Sequence, residues 1–301
     1  MDRGTVIVNL GRAEGILPPK EQIQKERYRQ GERIRVYILD VQKSAKSPQI
    51  ILSRAHPGFL QRLFELEVPE IFEKIIEIKA VAREAGERSK IAVHSIDERI
   101  DPVGACVGIR GTRVQGIVRE LSNERIDIIQ WSPDPQILAT RALAPARIIR
   151  LEADQEEKSM TVVVEEPSLS VAIGKNGQNA RLTSKLTGWK VTILSESEDK
   201  VKKTKVEAKR TEIRELKGVG EKLAENLIAA GYDAVEELAD AKPKGLKEIE
   251  GVGEKKAAKI IKAAQEFLAK KKESESQEQA EEAQEAEPSE ATEETEKEEK
   301  R

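Results

Sequence analysis

Along the first part of the chain, apolar positions come in short runs that are separated by glycine, proline and serine. Three runs have the length and the Val/Ile content of β-strands: 5–10 (TVIVNL), 33–41 (RIRVYILDV) and 49–52 (QIIL). Short strands joined by turn residues predict a small antiparallel barrel of the oligonucleotide-binding type over residues 1–55. A helix is predicted next, over 56–66, with Pro57 in its first turn.

Residues 56–143 and 144–198 repeat one order of elements: strand, strand, short helix, glycine loop, helix and strand. The pairs Asp101-Pro102, Asp134-Pro135 and Pro167-Ser168 have the composition of helix starts. In each repeat a Gly-x-x-Gly loop separates the two helices, and the first glycines, Gly108 and Gly174, are 66 positions apart. An internal duplication of this kind predicts two copies of one small α+β domain.

A second duplication follows a charged connector at residues 199–210. Over residues 211–272, two Gly-x-Gly turns each precede a helix with apolar periodicity. The four turn glycines are Gly218, Gly220, Gly251 and Gly253. This pattern predicts a tandem helix-hairpin-helix domain. Its turns either dock another protein or bind a nucleic-acid backbone through amide groups, and the sequence leaves both alternatives open.

Charge is distributed unevenly along the chain. Residues 273–301 contain 13 Glu and 3 Lys or Arg, whereas residues 1–272 contain 49 Lys or Arg and 42 Asp or Glu. An acidic segment with few apolar residues is predicted to be disordered. Its role is either to keep the protein soluble or to compete with RNA for basic residues. The mildly basic remainder is compatible with nucleic-acid binding.

The two Gly-x-x-Gly loops are the best candidates for a binding site. Glycine allows a sharp turn and lets a sugar–phosphate chain approach the main chain. The helix that follows presents free amide groups to a phosphate, and this is how such loops clamp about four nucleotides of single-stranded RNA. The predicted RNA-binding residues are Gly108, Ile109, Arg110, Gly111, Arg113, Gly174, Lys175, Asn176, Gly177 and Arg181.

The residue types that most enzymes and metal sites require are scarce. The only histidines are His56 and His94, in different predicted modules, and Cys106 is the only cysteine. We therefore predict no metal site, no cofactor and no catalytic activity. A single cysteine is typical of a reducing, cytoplasmic location. No apolar run approaches the ~18 residues that a membrane helix needs.

Long motifs in this chain resemble the NusA family of bacterial transcription factors. They are residues 52–60 (LSRAHPGFL), 63–71 (LFELEVPEI), 101–108 (DPVGACVG), 128–132 (IIQWS) and 174–182 (GKNGQNARL). The resemblance implies a multidomain α+β chain. Its parts are an incomplete OB-type (S1) β-barrel at 1–55, two tandem type II KH domains at 56–143 and 144–198, an all-α helix-hairpin-helix domain at 211–272 and a disordered acidic tail at 273–301.

The same resemblance implies a function. It predicts a monomeric elongation factor that binds single-stranded nascent RNA and RNA polymerase in pausing, termination and antitermination. Family members begin with a polymerase-binding domain that has no counterpart here, and the S1 barrel lacks its first strand. The chain is therefore expected to be a truncated or naturally short form. The alternatives are a general single-stranded RNA-binding protein and an accessory of an RNA-degrading enzyme.

Overall fold

The computed structural model describes residues 4–43, 49–249 and 252–285 of the chain. It divides into two compact units, residues 1–199 and residues 200–301, which are described separately below. In the part of the chain that the structure describes, no helix is both long and apolar enough to cross a membrane.

The first unit begins with an open four-stranded sheet. Its strands are β1 (Val6–Asn9), β2 (Glu14–Leu17), β3 (Tyr37–Gln42) and β4 (Gln49–Ser53), in the order β1-β2-β4-β3. β1 pairs with β2 and β3 with β4 in antiparallel fashion, whereas β2 and β4 are parallel. Among the described residues no pairing joins β1 to β3. The prediction of an incomplete barrel is therefore confirmed.

Two details of this sheet differ from the sequence prediction. Strand β2 was not predicted, because its sequence is only four residues long and contains Gly15. That glycine is required by packing, since a Cβ atom there would lie 2.4 Å from Cδ1 of Leu52. The strand predicted from residue 33 begins only at Tyr37, because its partner strand ends opposite that residue, at Ser53.

Two copies of one α+β domain follow. The first contains α1 (Pro57–Glu67), α2 (Pro69–Phe72), β5 (Ile76–Glu84), β6 (Arg88–Ser95), α3 (Pro102–Val107), α4 (Thr112–Glu120) and β7 (Arg125–Gln130). The second contains α5 (Pro135–Leu143), β8 (Ile148–Asp154), β9 (Ser159–Val164), α6 (Leu169–Ile173), α7 (Gln178–Thr187) and β10 (Lys190–Ser195). In each sheet the first strand pair is antiparallel and the second is parallel. This element order confirms the predicted tandem type II KH fold.

Aspartate side chains begin two of these helices, as predicted. The carboxylate of Asp101 accepts hydrogen bonds from the amides of Val103 and Gly104, both at 3.0 Å. Asp134 accepts one from the amide of Gln136 at 2.8 Å. Each is followed by a proline in the first turn of its helix. The side chains satisfy amide groups that the helix itself leaves without partners.

The two KH domains share a hydrophobic core. The sheet of the first KH domain contributes Ala82, Ala92 and Ile129. They pack against four side chains of α5 and α7: Leu138, Ala142, Leu182 and Leu186. Beside this core, the buried ammonium group of Lys90 donates to Asp127 and to the carbonyl of Ala142, both at 2.7 Å. Helices of the second KH domain therefore cover one face of the sheet of the first KH domain, and the two domains have a fixed relative orientation.

The sheet formed by β1, β2, β3 and β4 is joined to the first KH domain by a buried ionic network centred on Arg54. Its guanidinium donates to both carboxylate oxygens of Glu26 at 2.6 Å and to Oε1 of Glu120 at 2.9 Å. It also donates to the carbonyls of Arg35 and Glu120. Removing one partner of such a buried pair is costly, because the other charge remains buried.

The second unit is helical, as predicted for a helix-hairpin-helix domain. Its helices are α8 (Glu196–Glu215), which begins in the first unit, α9 (Glu221–Ala229), α10 (Val235–Asp240), α11 (Pro243–Leu246) and α12 (Glu254–Glu285). A core of aliphatic side chains holds them together, including Ile213, Leu227, Leu238 and Ile260.

Two segments differ from the expectations for this unit. The charged connector at 199–210 is helical, as part of α8. The tail, predicted to be disordered from residue 273, continues α12 as far as Glu285. Residues 199–210 are rich in Lys, and residues 273–285 are rich in Glu and Gln, which all have high helix propensity; neither segment contains glycine or proline. Residues 286–301 of the predicted disordered tail lie outside the described residues.

Candidate nucleic-acid interface

The two Gly-x-x-Gly loops have the same backbone conformation. Gly108 has φ 76° and ψ 173°, and Gly174 has φ 74° and ψ 171°. The third residues, Arg110 and Asn176, both have φ 53°. Gly111 and Gly177 end the loops at φ 77° and φ 71°, each with ψ 14°. Because all three positions have positive φ, with nearly the same values in both copies, the loops are two instances of one local structure.

The first glycine of each loop is required by close packing. A Cβ atom on Gly108 would lie 2.8 Å from Cγ of Arg113. One on Gly174 would lie 2.8 Å from Cβ and 3.0 Å from the backbone nitrogen of Asn179. The start of α4 or α7 therefore approaches the loop more closely than any residue with a side chain would allow.

The second glycine of each loop faces open space. A Cβ atom on Gly177 would meet no atom within 4 Å, and one on Gly111 would meet only side-chain carbons at 3.9 and 4.0 Å. No side chain caps α4 or α7, which begin directly after these glycines. The amides of Thr112 and Gln178 donate to the loop carbonyls of Ile109 and Lys175, and the helix dipole favours an anion beside both helix starts.

The loop centres project into solvent. Ile109 is 85% exposed, which is unusual for an isoleucine, and Arg110, Lys175 and Asn176 are exposed as well. Arg110 and Lys175 each place one positive charge next to an uncapped helix start. The exposed cation of each loop offers a contact to a phosphate, and Ile109 or Asn176 beside it offers a contact to a sugar or base.

Arg113 and Arg181 have more specific surroundings than the sequence indicated. Nη1 of Arg113 donates to the carbonyl of Ala105 at 2.6 Å and to Oε2 of Glu70 at 3.0 Å. Nη1 of Arg181 donates to the carbonyl of Asn176 at 3.2 Å. The guanidinium of Arg113 therefore holds the last turn of α3, next to the first loop, whereas that of Arg181 contacts the second loop directly.

The residue equivalent to Arg113 in the second repeat is Asn179, which the sequence analysis did not single out. Its Nδ2 donates to the carbonyls of Val171 and Ala172, at 3.2 and 3.0 Å. Arg113 and Asn179 thus make the same type of contact, from the first turn of the second helix back to the last turn of the first. Aligning the two repeats by their glycines is the one sequence signal that pairs them, because 113 and 179 differ by the same 66 positions.

The helix-hairpin-helix turns are only partly within the described residues. Gly218 has φ 90°, and the carbonyl of Gly220 accepts from the amides of Leu223 and Ala224 at the start of α9. Gly253 accepts from Lys256 and Ala257 in the same way, whereas Gly251 lies outside the described residues. The choice between protein docking and nucleic-acid contact at these turns stays open.

Three family models match the chain. Residues 54–131 match the NusA-like first KH domain, and residues 135–201 match the NusA-like second KH domain. Residues 211–266 match the SAM-like helix-hairpin-helix tandem. The two KH matches contain the two loops described above.

Curated relatives agree with these matches. The transcription termination/antitermination protein NusA of Halalkalibacterium halodurans is 54% identical over 197 residues, which are 65% of this chain and 52% of the relative. The NusA protein of Bacillus subtilis is 52% identical over 198 residues, or 66% of this chain and 53% of the relative. That of Rickettsia prowazekii is 42% identical over 246 residues, or 80% and 49%. The chain spans about half the length of these relatives. The two consecutive KH domains of this chain are therefore NusA-like, and over this region the chain is similar to the transcription termination/antitermination protein NusA.

Proposed function

We propose that this chain binds single-stranded RNA along its two KH loops and acts on nascent RNA in transcription termination and antitermination. The observation that carries the proposal is the repetition of one loop geometry in two domains of fixed orientation. Each loop combines an open glycine, an uncapped helix start and an exposed cation. A surface of this kind binds the RNA backbone and leaves the bases free to be recognised at their edges.

The residues divide by role. Gly108, Gly111, Gly174 and Gly177 shape the loops and bring the main chain close to the backbone of the RNA. Arg110 and Lys175 neutralise phosphates, and Ile109 and Asn176 contact the sugar or base. Arg113 and Arg181 support the loops, and their guanidinium groups lie beside the same path.

Substitution of both loop centres tests RNA binding. The variant I109D/R110D/K175D/N176D places four carboxylates where phosphates would lie. We expect it to lose single-stranded RNA binding in fluorescence anisotropy, because like charges repel and the loop cations are gone. Its melting temperature should stay close to that of the unchanged protein, since all four positions are exposed.

A control with the same change in net charge is available on α8. Val201, Lys202, Thr204 and Lys205 are exposed there, and V201D/K202D/T204D/K205D also replaces two lysine or arginine residues and two neutral ones by aspartate. We expect this control to keep most of its affinity for RNA. Equal loss in both variants would mean that overall charge, and not the loops, determines binding.

Coupling to transcription is a separate part of the proposal. The relatives are named transcription termination/antitermination proteins, which supports a role in transcription. We further propose that the chain acts in the cytoplasm as a monomeric, non-catalytic elongation factor that contacts RNA polymerase. Co-purification of the tagged chain with core RNA polymerase, followed by a termination assay on a defined template, tests this. RNA binding without either effect would identify a general single-stranded RNA-binding protein instead.

A further inference from the structure

Glu84 belongs to the first KH domain but contacts the RNA-binding loop region of the second. It is the last residue of β5, at the tip of the β5–β6 hairpin. Its Oε1 accepts from Nε of Arg181 at 2.6 Å, and its Oε2 accepts from Nη2 of Arg181 at 3.1 Å. Oε2 also accepts from Nε2 of Gln178 at 2.9 Å. The carboxylate therefore holds two side chains of the first turn of α7.

Arg181 carries this contact on to the loop itself. While its Nε and Nη2 bind Glu84, its Nη1 donates to the carbonyl oxygen of Asn176. Asn176 is the loop residue with φ 53°, a conformation that costs free energy for any residue with a side chain. A hydrogen bond to its carbonyl fixes the orientation of the peptide that joins it to Gly177.

Among the described residues, no side chain of another domain donates or accepts a hydrogen bond at the first KH loop. The position equivalent to Arg181 in that repeat is Gln115, 66 residues earlier. The arginine that supports the first loop, Arg113, is paired with Glu70, which lies in α2 of the same domain. The first loop is thus held from within its own domain, whereas the second depends on its neighbour.

We infer that Glu84 is a positioning residue for RNA binding by the second KH loop, and that it acts through Arg181. The inference rests on the proposed function, since it specifies what the KH2 loop needs in order to bind RNA. The inference also predicts that removal of a negative charge weakens RNA binding, which is the opposite of the effect expected from charge alone. A carboxylate close to an RNA path repels phosphates, so a Glu84 without a positioning role would weaken binding, and its removal would strengthen it.

The ionic state of Glu84 is suited to this role. The hydrogen bond from Arg181 lowers the pKa of the Glu84 carboxyl group and outweighs the opposing effect of burial, and a second bond from Gln178 lowers the pKa further. The group is therefore a carboxylate at neutral pH and keeps both hydrogen bonds to the guanidinium. Bidentate pairs of this kind fix orientation as well as adding free energy.

The test compares two substitutions in one hairpin. Glu84→Gln removes one negative charge and the bidentate pair. Glu87→Gln removes the same charge from an exposed side chain that pairs with Lys25 and makes no described contact with the second domain. Both are made in the full chain, and their affinity for a fluorescein-labelled single-stranded RNA of mixed sequence is measured by anisotropy at one salt concentration.

We expect E84Q to weaken binding by about fivefold or more, within the usual range of coupling between contacting residues. E87Q should leave binding unchanged or slightly tighter. Arg181→Lys keeps the positive charge but loses the planar group that joins Glu84 to Asn176, and it should weaken binding as E84Q does. Adding E84Q to Arg181→Met should cause no further loss, because the path through Arg181 is already broken, and removal of the negative charge should leave binding unchanged or slightly tighter.

Each result has a defined meaning. Unchanged or tighter binding by E84Q, with an unchanged melting temperature, overturns the inference and leaves the proposed function intact. Additive losses in the double variant overturn it as well, since Glu84 would then act independently of Arg181. If the unchanged protein fails to bind the RNA, the proposed function fails, and the inference fails with it.

Discussion

Arg83 and Glu124 form a salt bridge that is closed to solvent: Nη2 of Arg83 lies 2.9 Å from Oε2 of Glu124, and neither side chain is exposed. The same carboxylate accepts from the amide of Gly86 at 2.8 Å and from Oγ of Ser89 at 2.5 Å. Nη1 of Arg83 donates to the carbonyl of His56 at the start of α1. One ion pair thus joins the hairpin, the end of α4 and the start of the first helix.

Replacing Glu124 by Gln should destabilise the protein strongly. The guanidinium of Arg83 would remain buried without a counter-charge, and we expect the free energy of unfolding to fall by about 3–5 kcal/mol. Urea denaturation followed by circular dichroism measures this. Glu157→Gln, at an exposed site, is the control and should change stability by less than about 0.5 kcal/mol. A small effect of E124Q would show that the network is easily replaced.

The two glycines of the second loop should differ in their tolerance of alanine. Both have positive φ, which costs a residue with a side chain about 1–2 kcal/mol. Gly174→Ala also forces a Cβ atom against the backbone of Asn179, whereas Gly177→Ala points into open space. We expect G174A to be less stable than G177A by about 1 kcal/mol or more.

Thermal denaturation of the two alanine variants tests that difference in stability. RNA affinity separates the roles further, because G177A should fold well and still bind RNA less tightly if the phosphate backbone approaches Gly177. Equal melting temperatures for both variants would contradict the close packing at Gly174.

Acid should weaken the junction between the β1–β4 sheet and the first KH domain. Burial raises the pKa of Glu26, but the hydrogen bonds from Arg54 and Tyr28 outweigh it, and the pKa is lowered below its ordinary value of 4.5. Since the folded state binds the proton more weakly than the unfolded state, this contribution to stability is complete above pH 4.5. It is lost as the pH falls below that value, through the folded-state pKa.

Urea midpoints between neutral pH and pH 3 measure this contribution. The variant E26Q should be less stable than the unchanged protein at neutral pH, and the difference between them should shrink as the pH falls. A difference that stays constant with pH would show that the charge on Glu26 is not what stabilises the junction.

Cys106 should be unreactive in the folded protein. Its side chain is buried, and burial raises the pKa of the thiol to about 12. Because the thiolate is the reactive form, iodoacetamide should modify Cys106 only after unfolding. Mass spectrometry with and without urea tests this. Rapid modification without urea would indicate that α3 opens easily.

Much of this architecture was accessible from the sequence, for reasons that particular residues show. Asp101 and Asp134 precede prolines, and a side-chain cap acts over two or three residues, so both helix starts were predictable. The loop glycines were found because they recur at a fixed spacing in two repeats. These signals are local, or they repeat.

The missed features depend on contacts between distant parts of the chain. Glu84 lies 97 residues before Arg181, and nothing near it in sequence indicates that partner. The need for glycine at position 15 of β2 depends on Leu52, whose side chain leaves no room there for a Cβ atom. The role of Arg113 was predicted from its charge alone, whereas its surroundings depend on Glu70 and on the end of α3.

Under the proposed function, the packing of α5 and α7 on the sheet of the first KH domain determines how long an RNA must be to bind both loops. With the domains locked together, a strand bound at one loop meets the other at a high and constant effective concentration. An oligonucleotide long enough to reach both loops would gain avidity, whereas a shorter one would bind at one loop only. The hydrophobic core shared by the two domains thereby sets the minimum length of RNA that can bind both loops.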